Sequence, residues 1–266
     1  LTYDVSLPYR GYGYFTILNL ESTPEDLIEK LRKIATEVFE EEVKKLNDTY
    51  QIFKGMNKFE TKPKLEYETC VLTFAELCKM MKKKNGKDFE KYYSDLTEEV
   101  SKKIIAGEIN YPSATVYMMD KVLTYSDIKK PLILIGIAPP YYPATHSDRI
   151  SGKGAVGSKI YDHVSKISKE KFGQGLVYEN YFMGISDNSY TSLKPFNYEL
   201  FAENTPMWGK LYNLDFDAIK EVSVPSILYG PVGRDYHQWT ERVNKRSLLE
   251  VMPEMLQKTV EFAWEM

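Results

Sequence analysis

PLILIGIAPP, residues 131–140, is the stretch on which the fold turns. Its first eight residues are apolar throughout and show no alternation. A strand with one face in water alternates, whereas an unbroken apolar run is the mark of a strand buried on both faces, as in a parallel sheet. Upstream of it, residues 73–126 read as a helical region. Within 73–126, TFAELCKMMKKKN stops at Gly86, and KDFEKYYSDLTEEVSKKIIAG stops at Gly107. PSATVYMMDKVLTYS then begins with Pro112. Glycine past a helix end and proline at its start are the expected punctuation. Ahead of these helices, KPKLEYETCVLTF (62–74) is a further strand candidate.

Downstream the alternation continues. A helix is expected in KGAVGSKIYDHVSKISKEKFG (153–173), a strand in GLVYENYFM (175–183) and a short helix in DFDAIKEVS (215–223). A second buried strand follows in VPSILYGP (224–231), then a closing helix from 247 with a capping box between Ser247 and Glu250. Strand and helix alternating from about residue 130 indicate an α/β layer. Upstream, YDVSLPYRGYGYFTILNL (3–20) has the aromatic and β-branched content of a strand, with Pro8 and Gly11 suiting a bulge or an edge. A helix follows, with Thr23 as N-cap, Pro24 at its first position, and Glu25 and Asp26 favouring its N-terminal dipole. Its apolar stripe is Leu27, Leu31, Ile34, Ala35, Val38, Val43 and Leu46, which must lie on a sheet. Strand, helix and strand here form a small α+β unit, too few strands to bury a core alone. The length, 266 residues, is long for one core and comfortable for two.

Composition narrows the function. A net charge of -3 with a single basic cluster, KMMKKKNGK (79–87), argues against nucleic-acid binding through phosphates, and the cluster reads as a solvated helix end. No apolar stretch approaches the length of a membrane span. Cys70 and Cys78 fit neither a redox pair nor a zinc knuckle, and read as buried reduced thiols, which suits a cytoplasmic protein.

The candidate chemistry lies after strands, where ligands of α/β sheets collect. In YGPVGRDYHQWTERV (229–243) a strand ends in a Gly-Pro turn and His237 follows, four residues before Glu241. Such a histidine could ligate a metal with the carboxylate orienting it, or simply cap a loop. In YFMGISDNSY (181–190), Asp187 could serve a metal or its surroundings, but alone it reads as a helix cap. His146-x-Asp148 has the spacing of a metal pair inside a polar loop. GKGAVGSK (152–159) is a near miss for a phosphate loop, with Ser158 and Lys159 transposed. GISDN lacks the final glycine of a serine-hydrolase elbow, which leaves Ser186 a poor nucleophile.

Together YGPVGRDYHQWTERV, GYGYFTILNLESTPEDLIEKLRKIA, IAPPYYP and GISDNSY resemble the aminoacylase and carboxypeptidase G superfamily of dinuclear zinc hydrolases, in particular its arginine-utilisation RocB subgroup. The resemblance implies a doubly wound zinc-peptidase catalytic domain interrupted by an α+β lid that usually makes a homodimer. The family's upstream His-x-Asp pair, bridging Asp and Glu-Glu pair, which includes the general base, have no counterpart here. EEE at 40–42 reads as a solvated helix face. The resemblance therefore implies a C-terminal half, with a partial lid in 1–72 and the second part of the catalytic domain in 73–266. The chain's start at Leu1 fits that expectation. Carried over, His237 is a zinc ligand, Asp187 a substrate-side or supporting group, and Glu241 the group that orients the His237 loop. Many relatives place an Arg soon after that Asp to hold a substrate carboxylate, where this chain has Asn188 and Ser189. The implied substrate is a small peptide or N-acyl amino acid, in arginine or other amino-acid degradation. One His and one Asp cannot supply the roughly four donors that each of two zincs needs, so this chain alone is expected to be inactive. The alternative is a metal-free binding or assembly module that shares the fold. A serine hydrolase using Ser186 is a third reading.

Overall fold

The computed structural model describes residues 9–57, 59, 62–144, 146, 155–181 and 184–266. They fold as an α/β chain dominated by helices, in two compact units. The first unit draws on 9–17, 22–141 and 195–214, the second on 18–21, 142–194 and 215–266. The expected boundary at residue 72 falls inside a strand of the first unit.

The first unit is organised by the run at 131–138. Within it β2 (Ile133–Ile135) pairs in parallel with β1 (Val71–Thr73), in the register Val71 to Ile133, Leu72 to Leu134 and Thr73 to Ile135. The three helices expected in 73–126 form the crossover between them: α2 (Phe74–Asn85), α3 (Lys87–Ile105) and α4 (Tyr111–Ser126). Both strands are much shorter than their apolar sequences, because only these three residue pairs are matched. Thr73 ends β1 and caps α2 at once. Its hydroxyl accepts from the Glu76 amide, and the Glu76 carboxylate accepts from the Thr73 amide at 2.8 Å. Gly86, at φ +52°, closes α2 and opens α3, a backbone state costly for any residue with a Cβ.

Apolar faces of α2, α3 and α4 meet in the main core: Phe74, Leu77, Met81, Phe89, Leu96, Val100, Ala114, Met118 and Val122, with Met207. Asn204, after α6 (Tyr198–Glu203), ties this core to the sheet end. Its side-chain oxygen accepts from the Ala75 amide at 3.1 Å, and its carbonyl accepts from Ile137 at 2.8 Å. Burial pushes the Cys78 thiol up to about 12, and Cys70 is buried, so neither behaves as a reactive thiol.

The first helix, α1 (Pro24–Met56), starts as the sequence predicts, with a Thr23–Asp26 capping box. Its buried face differs from the expected stripe. Ile28, Ala35 and Phe39 are buried, while Ile34, Val38 and Leu46 are nearly half exposed. The helix lies on a short pair of strands and α6, so a narrower arc is covered than hydropathy alone suggests. Arg32 fixes the contact, donating to the Val71 carbonyl and pairing with Glu76 at 2.8 Å.

The strand expected over 3–20 is not found in its described part. Residues 9–18 have no sheet partner among the described residues, and Tyr9, Tyr12, Tyr14 and Phe15 stand exposed. Arg10, bonded to Asp120 and to Thr124, anchors the segment on α4. Strand-forming side chains do not make a strand where no neighbour offers main-chain partners.

In the second unit α5 (Ala155–Phe172) packs on α8 (Met252–Glu265) through Ile160, Val164, Val251 and Met255. The strands expected at 175–183 and 224–231 are not assigned as strands in their described parts and join no ladder among the described residues. The short helix α7 (Phe216–Val222) is present, capped by Asp215. β3 (Gly233–Arg234) and β4 (Arg242–Val243) form a small antiparallel hairpin. The closing helix is capped by Asn244 rather than Ser247. The Ser247 amide donates to Asn244 Oδ1, and Ser247 Oγ accepts from Val232 instead. Residues 247–251 take a wide π-turn immediately before Pro253, whose ring cannot follow a regular turn without clash. No helix among the described residues is long and apolar enough to cross a membrane.

Candidate functional site

His237 sits on the loop of the β3–β4 hairpin, residues 235–241. Asp235 and His237 both take positive φ, +57° and +61°. Two tight turns account for this path: the Gln238 amide donates to the Asp235 carbonyl and the Glu241 amide to the Gln238 carbonyl. The neck is closed by Arg242 against Asp235 at 2.8 Å. Gly233 permits it, because a Cβ there would stand 3.0 Å from the Tyr236 ring and 3.1 Å from the Arg242 carbonyl. The Glu241 carboxylate accepts from the main-chain amide of His237 at 3.2 Å. It therefore holds the backbone that carries the imidazole. The result is an exposed loop that presents His237, Tyr236 and Trp239, the last 98% exposed.

Asp187 opens a single 3-10 turn, Asp187–Tyr190, and is exposed. The cap of that turn is Ser186, whose Oγ accepts from the Asn188 amide at 3.2 Å. Ser186 has ordinary extended dihedrals, φ -146° and ψ 143°, without the strain of a nucleophile elbow. With its hydroxyl engaged as a cap, the serine-hydrolase reading loses its support. Thr191 ties this turn to the segment at 224–229, through a 2.8 Å contact with Ser226 Oγ and by accepting from Val224.

Beside this turn the second unit holds a cavity of about 420 Å³. Its walls are the segments 176–181 and 226–229 with Asn19 and Leu20, and α5, Thr259 of α8, Ser186, Asn188 and Ser189 complete its lining. Nothing in the sequence announced it, because its walls come from segments 50 residues apart that read as buried strands. Tyr161 braces it, donating to the Leu176 carbonyl at 3.1 Å and lying 5.3 Å from the Tyr178 ring. Burial moves the Tyr229 phenol above its ordinary range. Asp187, His237 and Glu241 are not among the residues that line the cavity.

Of the other candidates, His146 lies 5.7 Å from the Tyr181 ring, and Asp148 falls outside the described residues. So do residues 152–154 of the phosphate-loop near miss, whose Ser158 and Lys159 lie in the first turns of α5. Glu40, Glu41 and Glu42 are exposed on α1. Among the described residues no group of three or more His, Cys, Asp or Glu side chains is placed to hold a metal ion.

The chain is similar to two proteins of Bacillus subtilis (strain 168). It is 28% identical to the uncharacterized protein YqjN over 262 residues, 97% of this chain and 45% of YqjN. It is 30% identical to protein RocB over 129 residues, 48% of this chain and 23% of RocB. The chain thus spans less than half the length of either relative. No family model matches it, and no solved structure does.

Proposed function

We propose that this chain is part of a metal-dependent amide hydrolase related to RocB, acting on a small peptide or an N-acyl amino acid within amino-acid degradation. The observation that carries the reading is the His237 loop in a RocB-like sequence. A non-glycine residue at positive φ costs on the order of 1 kcal/mol, and such strain collects at functional sites. Here it is paid on an exposed loop with no core to shape, and Glu241 holds it in place. That arrangement suits a ligand histidine whose backbone must be fixed before its imidazole meets a metal. In this reading His237 is a zinc ligand, Glu241 positions its loop, and Asp187 works on the substrate side.

Among the described residues the donor set is incomplete, since a zinc site needs about four donors and no described cluster reaches three. The remaining ligands and the general base would come from outside the described residues, and the chain by itself would be inactive. Titration calorimetry with zinc tests this on the 266-residue chain and on the chain extended to its relatives' length. The extended chain is expected to bind about two zincs tightly and His237→Ala to lose one of them. If the extended chain binds none, the metal-free binding or assembly module replaces this reading.

A further inference from the structure

We propose that the outer face of α8 is the docking surface for a further helix, and that this helix belongs to the same polypeptide, outside these 266 residues. The inference does not depend on the metal chemistry proposed above. One face of α8 and of the turn before it is already used. Val251 and Met255 are buried with Ile160 and Val164 of α5, and the Phe262 ring stacks on His163 at 4.1 Å. A second apolar stripe runs about a third of a turn away. It consists of Leu249, Pro253, Leu256, Val260, Ala263 and Trp264, all exposed. Leu249 is 69%, Val260 63% and Trp264 90% exposed. A surface helix keeps one apolar face, whereas a helix apolar on two faces is built to be covered on both. Here only the α5 side is covered.

Spacing and charge name the occupant. Leu249, Pro253, Leu256, Val260 and Ala263 recur at alternating steps of four and three, the narrow seam that one helix offers to another. The carboxylates beside the stripe are answered within the helix: Glu250 by Arg246 at 3.6 Å, and Glu261 by Lys258 and Gln257, each at 2.7 Å. The face therefore needs apolar cover rather than counter-charge. Glu250, Glu254, Glu261 and Glu265 outweigh Lys258, a balance that suits no anionic lipid surface. A free second copy would need about 20–30 residues on each side, and the stripe supplies six. A segment of the same chain needs far less contact, because the tether makes its docking intramolecular. The source follows from length: the matched region is only 45% of YqjN, so a polypeptide of that size has ample chain to supply a helix.

Thiol labelling of the chain extended to its relatives' length decides the matter. Val260→Cys lies on the stripe and Glu261→Cys on the polar side of the same helix, and both positions are exposed in the 266 residues. Cys70 is buried and the Cys78 thiol is pushed up to about 12, so both give a slow background, which the unsubstituted chain measures. In the extended chain Val260→Cys is expected to react with a maleimide about tenfold or more slowly than Glu261→Cys, because labelling follows exposure. Equal rates would overturn the proposal. The occupant is then read by photo-crosslinking from a benzophenone maleimide on Gln257→Cys, at the edge of the stripe. The crosslink is expected at monomer mass, to a peptide outside the 266 residues. A crosslink at doubled mass would overturn the proposal, because a second copy would then be the occupant. The absence of any crosslink outside the 266 residues would overturn it as well. Should Val260→Cys not fold, the crosslink from exposed Gln257 makes the same decision. Neither readout involves zinc, so failure of the hydrolase reading and failure of this one are told apart.

Discussion

The two units use the same kinds of residue to opposite ends. In the first, three consecutive helices close on ten buried side chains, and the short parallel pair β1–β2 is covered by α1 and α2. In the second, the core between α5 and the α8 end holds four buried apolar side chains among the described residues, and the segments beside them line a cavity. The difference teaches that a helix satisfies its own main chain, whereas a strand needs a neighbour. A run of local helices can therefore finish its core within one stretch of sequence, and a set of strands cannot.

The largest effect expected from this contrast is in the cores themselves. Leu77→Ala in the first unit should cost about 3–5 kcal/mol, because the close-packed helices cannot collapse onto the space left. Met255→Ala in the second should cost nearer 2 kcal/mol, since fewer packed neighbours are lost beside a cavity. Both side chains are fully buried, so urea denaturation of the two variants compares packing rather than exposure. Equal losses would break the contrast. Next, Asn204→Ala should cost about 2 kcal/mol by leaving the buried Ala75 amide unpaired, measurable by the same method.

Smaller effects sharpen the comparison at helix ends. Asn244→Ala removes the cap of the closing helix and should cost about 1 kcal/mol, while Ser247→Ala should instead loosen the Val232 contact and speed amide exchange there. The smallest effect concerns acid. Burial alone would raise the Glu76 carboxyl, but its bonds to Arg32 and to the Thr73 amide carry it below the ordinary range. A depressed folded value means stability that is complete above the unfolded carboxylate range and is lost as pH falls through the folded value. Stability measured from pH 6 downward should therefore fall less steeply in Glu76→Gln than in the parent, by a modest amount because the pair is partly exposed.

Much of the first unit was legible in advance. The apolar run at 131–138 announced a parallel strand, Gly86 and Pro112 marked helix limits, and Thr23 announced an N-cap. These signals are local, and local chemistry decides them. The exposed arc of α1 and the unpaired course of residues 9–18 were not legible, because burial depends on what arrives from elsewhere. The closing helix shows the limit within a few residues. Ser247 and Glu250 have the spacing of a capping box, yet Asn244 takes the cap because the hairpin draws Ser247 toward Val232.

At the candidate site the division is the same. Sequence by itself determined that His237 and Glu241 lie four apart after a Gly-Pro step, and it pointed to Asp187 as the cap of a turn, a role the structure gives to Ser186. Only the tertiary structure decided that Glu241 grips the main chain of His237, that Ser186 is a cap, and that the segments at 176–181 and 226–229 face a common cavity. Helix and turn chemistry is written within a few neighbouring residues, whereas the pairing of strands and the filling of a cavity depend on partners far away in the chain or beyond it.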